Sequence, residues 1–98
     1  MKKSQLEIYA INDFPDLEVN DLDKKELSLK GASYERMCEC RTPYVRLSKK
    51  EGKFEKKMNK IITDIGEKTN ADMAMIKWTN TYYPDSKANH DIVFYKKK

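Results

Sequence analysis

Apolar residues recur with helical spacing over one stretch of this chain and with strand-like spacing over several others. Phe54, Met58, Ile61, Ile62 and Ile65 stand at i, i+4, i+7, i+8 and i+11, which lines one face of a 3.6-residue helix. Lys53, Glu55, Lys56, Lys57, Lys60 and Asp64 fill the other face, so this helix needs an apolar surface to lie on. Burying the five apolar side chains contributes ~8–15 kcal/mol before ordering entropy is subtracted. Ser48 and Glu51 form an S-x-x-E pattern that predicts an N-cap at Ser48. Asn70 tolerates the left-handed conformation and predicts a stop near Thr69, with Gly66 as a competing stop one turn earlier.

Five further stretches carry strand signals. Leu6, Ile8 and Ala10 alternate with Glu7, Tyr9 and Ile11 before the Asn12-Asp13 and Pro15 breakers. Leu22, Leu27 and Leu29 suit either a short strand or a helical turn ending at Gly31. Tyr34–Cys40 reads as a strand with Tyr34, Cys38 and Cys40 on one side; Thr42-Pro43 interrupts it before Tyr44-Val45-Arg46-Leu47. After the helix, Ala71–Trp78 has no breaker and an apolar middle, which predicts a strand covered on both faces. Thr79–Tyr83 prolongs it toward a polar turn at 84–89, and Ile92-Val93-Phe94-Tyr95 returns as the second arm of a hairpin with its tip near Asp85. Lys96, Lys97 and Lys98 are expected to fray into solvent.

Together these elements predict a single α+β domain over residues 1–98. Its expected form is two layers: an antiparallel or mixed sheet of four to five strands with one main helix, about residues 49–69, packed on one face. Length allows one core and not two. The mean hydropathy of −0.89 is low. The apolar residues are nevertheless periodic, and six Tyr, three Phe and one Trp are spread along the chain, which argues against disorder. No apolar run approaches the length needed to span a bilayer, and Met1-Lys2-Lys3 is not followed by a signal-peptide h-region. The chain as written reads as cytosolic, and a periplasmic or envelope domain trimmed of a leader would read the same.

Charge adds an asymmetry to the net +4: residues 1–48 hold eight Lys/Arg against nine Asp/Glu, and residues 49–98 twelve against seven. Lys49, Lys53, Lys56, Lys57 and Lys60 form the one candidate anion-binding stripe. Glu51, Glu55 and Asp64 interleave with it and Arg is missing from that half, so a solvated helix face is the preferred reading and nucleic acid the alternative. Asp13–Asp23 carries five acidic residues but lacks the Gly and Glu positions of a calcium loop, which leaves a solvated acidic loop.

Candidate chemistry is sparse. Cys38 and Cys40, spaced C-x-C, are read first as buried free thiols, then as a redox or disulfide pair, and last as metal ligands with His90. His90, the only histidine, reads as a surface residue at the hairpin end. With no glycine-rich phosphate loop and no paired catalytic motif, neither an enzyme nor a cofactor or metal is motivated. Trp78, Tyr82, Tyr83 and Tyr95 read first as core residues or cross-strand pairs; the alternative is a candidate interaction surface, since amphipathic rings beside a turn suit contact with a protein partner or a second copy of the chain.

The corner Ile65-Gly66-Glu67-Lys68-Thr69-Asn70-Ala71-Asp72-Met73-Ala74 resembles the A-x-x-L-G-A-(D/N)-A-V helix-to-strand corner of small bacterial YbjQ-like and RcsF-like domains. Tyr34–Cys40 takes the place of their strand before the helix. The resemblance implies a small sheet fed by one helix. From the second group, whose members are envelope lipoproteins that sense stress by binding proteins, it implies a non-enzymatic binding or sensing role. Asn70 stands where those families have Gly, and the sensor's cysteine set is reduced to Cys38 and Cys40.

Overall fold

The computed structural model describes residues 6–98; residues 1–5, with the Met1-Lys2-Lys3 start weighed above, lie outside the described residues. Among the described residues seven strands and helices follow one another: β1 (Glu7–Ala10), β2 (Glu26–Leu29), β3 (Ala32–Arg41), β4 (Val45–Arg46), α1 (Lys53–Thr69), β5 (Met73–Tyr82) and β6 (Lys87–Lys97). The strands form one curled, mixed sheet in the order β1-β5-β6-β3-β2, with β4 pairing β6 where β3 has ended. Among the described residues only β1 and β5 run parallel. The α+β class with a single main helix therefore holds, and the sheet has six strands rather than four or five.

The C-terminal strand is the middle of the sheet. Eight consecutive residues of β6, Ala88–Tyr95, are buried, because it is paired on both edges and, over Ile92–Tyr95, covered on both faces. One face packs against α1: Met58 and Ile62 meet Val45, Ala74, Ile92 and Phe94, with Phe54, Ile61 and Ile65 at the margin. The other face holds Met73, Met75, Val93, Tyr95, Tyr34, Leu27 and Leu29. It is covered by the segment between β1 and β2, which forms two 3-10 turns, Ile11–Asp13 and Val19–Asp23, and inserts Ile11 and Leu22. The domain is thus closed on both sides, where two layers were expected. The acidic stretch exposes polar residues to solvent, while Phe14, Leu17, Val19 and Leu22 pack on the sheet.

Several local expectations are corrected. α1 starts after Gly52, whose φ of 80° suits glycine, and the Ser48 hydroxyl accepts from Lys50 N–H at 3.1 Å in the preceding turn instead of capping the helix. Gly66 stays inside the helix, and the expected stop at Asn70 (φ 61°) holds, with Ala71 N–H reaching back to the Gly66 carbonyl at 2.9 Å as in a Schellman motif. The register of β3 against β6 shifts between Arg36 and Cys38, so Tyr34 faces the 3-10 segment while Cys38 and Cys40 face the helix. One-sided alternation could not anticipate that reversal. The terminal lysines are held rather than frayed: β6 runs to Lys97, and Lys98 pairs with Glu26 at 2.6 Å.

Candidate functional site

The β5–β6 hairpin projects beyond the part of the sheet that the 3-10 segment covers. Lys77 marks the boundary: its ammonium lies 3.2 Å from Glu39 and 3.6 Å from Asp23, joining the sheet to the end of the covering segment. The β5–β6 register shifts between Ile76 and Trp78, a bulge that turns Lys77 and Trp78 toward the same side. From there the strand alternation sends Trp78, Asn80 and Tyr82 of β5, and Lys87, Asn89 and Asp91 of β6, to the face opposite the helix.

That face is built from aromatic rings around a hydrogen-bonded base. Trp78, Tyr82 and Tyr44 are 48%, 47% and 49% exposed, so roughly half of each ring is anchored and half is offered to solvent. Tyr44 and Tyr82 lie with ring centroids 6.5 Å apart, and Lys87 Nζ sits over both at 5.1 and 5.4 Å. On the same face, beside Trp78, the Arg41 guanidinium grips the Asp91 carboxylate at 2.6 and 3.3 Å, which holds that carboxyl below its ordinary range. Asn80 donates to the Asn89 side chain at 3.1 Å, and Asn89 donates to the Thr42 carbonyl at 3.0 Å. Every polar side chain in this base has a partner, so the platform keeps one shape. An open depression lined by Arg46, Pro84, Asp85, Ser86 and Lys87 continues it to the hairpin tip.

Of the residues singled out from the sequence, Trp78, Tyr82 and Tyr83 are exposed on the hairpin, with Tyr83 in its end turn at 78%. Tyr95 does not belong with them. It is fully buried at the far end of β6, its hydroxyl donating to the Leu22 carbonyl at 3.3 Å, and burial pushes its pKa up to about 12. Tyr44, Arg41, Asp91 and the Asn80–Asn89 pair were not legible, because the break at Thr42-Pro43 hides that Tyr44 returns beside Tyr82. A Tyr directly after a strand-ending Thr-Pro was the available signal.

The remaining candidates lie elsewhere. Cys38 and Cys40 are half-buried free thiols on the helix side, opposite Phe94 and Ile92, and burial pushes the Cys40 thiol up, away from the reactive thiolate. His90 is not a turn residue: it is buried within β6, edge-on to Phe54 at 5.8 Å, with Nδ1 2.9 Å from the Thr79 hydroxyl, and burial lowers its pKa. Lys49, Lys53, Lys56, Lys57 and Lys60 are exposed in and beside α1, and Lys60 stands 4.0 Å from Asp64. Among the described residues no three His, Cys, Asp or Glu side chains converge as metal ligands, and no helix is long and apolar enough to cross a membrane.

Comparison of the chain with protein-family models, with curated proteins and with solved structures finds no match.

Proposed function

We propose that this domain is a non-enzymatic binding module whose contact surface is the platform of Tyr44, Trp78 and Tyr82, extended by Tyr83 at the hairpin tip. The observation that carries the reading is three half-exposed aromatic rings on one fixed strand face, set on a base whose polar groups are all paired. Tyr, Trp and Arg are the residues that dominate the centres of protein interfaces, since they bury much area for little lost side-chain freedom. A rigid platform also binds with little further ordering. The nearby charges include both signs, Arg41 with Asp91 and Lys87 with Asp85, which suits a protein surface better than a uniformly anionic backbone.

A photoreactive amino acid at position 83 tests this, with the same group at position 60 on the back of the helix as control. Illumination in the producing cells is expected to give protein adducts of discrete mass from position 83 alone. Failure of position 83 to give them, or equal yield from both positions, refutes the reading. Adducts removed by nuclease transfer the function to nucleic acid.

A further inference from the structure

The outer edge of β5 is only half used. β1 pairs along Met73–Ile76, its last partner pair being Ala10 with Ile76, and the chain then turns away as the 3-10 turn Ile11–Asp13. β5 continues to Tyr82 with β6 on one side and, among the described residues, no strand on the other. Such an edge presents unpaired N–H and C=O groups, and folded proteins normally blunt it with a charge, a proline or a bulge. Here Lys77 and its bulge lie just before the free segment and Pro84 just after it. Between them runs Trp78-Thr79-Asn80-Thr81-Tyr82, with no charge, no proline and four of its five residues exposed.

That segment reads the same in both directions by residue class: aromatic, Thr, Asn, Thr, aromatic. We propose that two copies of the chain pair antiparallel through this edge, about a two-fold axis passing between the two Asn80 residues, to make one continuous sheet. The proposal rests on the binding-module reading and names the partner as a second copy. In an antiparallel ladder with two-fold symmetry, some residue must stand opposite its own copy. Centring on Asn80 sets Thr79 opposite the partner's Thr81 and Trp78 opposite the partner's Tyr82. Aromatic pairs and Thr pairs are both favoured cross-strand neighbours. Centring on Thr79 or Thr81 instead sets an aromatic ring opposite Asn80, and the first of these also runs Tyr82 into the position that β1 occupies beside Ile76. The Asn80 register also keeps Lys77 opposite Tyr83, so no like charges meet. Both helices fall on one side of the joined sheet, and the two aromatic platforms merge on the other.

Sedimentation equilibrium of the full chain over a concentration series tests this with two charged variants, Thr79→Lys/Thr81→Lys and Thr79→Glu/Thr81→Glu. Each sets like charges opposite one another at every Thr pair of this register. The wild type is expected to dimerise, and each variant alone to dimerise more weakly by on the order of tenfold or more. A mixture of the two is expected to recover dimerisation, which also shows that both variants fold. A monomeric wild type, variants that dimerise as it does, or a mixture that fails to recover overturns the self-pairing. If the wild type is monomeric while position 83 still gives discrete protein adducts, the self-pairing falls and the binding surface stands; if the adducts are also missing, both fall.

Discussion

Replacing Leu22 with Ala separates the structure from what the local sequence implies. The acidic composition around Leu22 marks a solvated loop, in which such a change alters stability by no more than about 0.5 kcal/mol. In the fold Leu22 is fully buried, and it lies between two tethers of its own carbonyl, which accepts from Arg36 Nε at 2.8 Å and from the Tyr95 hydroxyl at 3.3 Å. Truncation removes three carbons, about 2.4 kcal/mol of transfer free energy at ~0.8 kcal/mol each. The cavity left behind adds to this, while a 3-10 segment can settle inward more readily than a strand, so a net loss of about 2–4 kcal/mol is expected. For a domain of this size that lowers Tm by roughly 10–25 °C. Urea unfolding followed by far-ultraviolet circular dichroism measures it, with Asp16→Ala on the exposed side of the same segment as control. A midpoint that does not move for Leu22→Ala, or that moves equally for Asp16→Ala, refutes the claim that this segment closes the second face of the sheet.

Asn70 holds φ at 61°, so Asn70→Gly is expected to leave stability unchanged or slightly raised and Asn70→Ala to lower it by about 1 kcal/mol, both read from urea midpoints. Burial lowers the His90 pKa beneath its ordinary 6.5, so the folded state binds fewer protons than the unfolded chain; stability is full above pH 6.5 and declines as the pH falls below it. His90→Gln is expected to flatten that decline in a series of unfolding curves, and an unchanged slope counts against the buried neutral imidazole. Tyr34, whose hydroxyl donates to Glu7 at 2.9 Å, is pushed by burial to about 12, as is Tyr95. Their contribution to stability is present below pH 10 and is lost as the pH rises toward 12. In a phenolate absorbance titration two of the six tyrosines should ionise late, and Tyr34→Phe should remove one of the two.

How much was legible follows from the range of the interactions involved. The α1 stripe, the Asn70 stop and the β5–β6 hairpin could be read because each depends on neighbours within a few residues; that Trp78, Tyr82 and Tyr83 are exposed depends on which elements cover the hairpin and was not. Ser48 misled because a capping box and the side-chain turn it makes here use the same hydroxyl, and Gly52 four residues later decides where the helix begins. Tyr95 misled because an amphipathic ring near a chain end gives no sign that Leu22, 73 positions earlier, will cover it.

The chain by itself determined that there is one amphipathic helix, that it feeds an apolar strand, and that a hairpin carrying aromatic residues follows. Period and turn chemistry are local, so these survive any arrangement of the parts. Tertiary structure alone decided that β6 is the middle strand, that the acidic stretch closes the second face, and that Tyr44 returns beside Tyr82 to complete the platform. It also decided that β1 ends at Ala10, opposite Ile76, so that among the described residues no strand pairs the outer edge of Trp78–Tyr82. Each of these is a pairing between residues far apart in sequence, set by which partners bury the most apolar surface while leaving no buried polar group unmet.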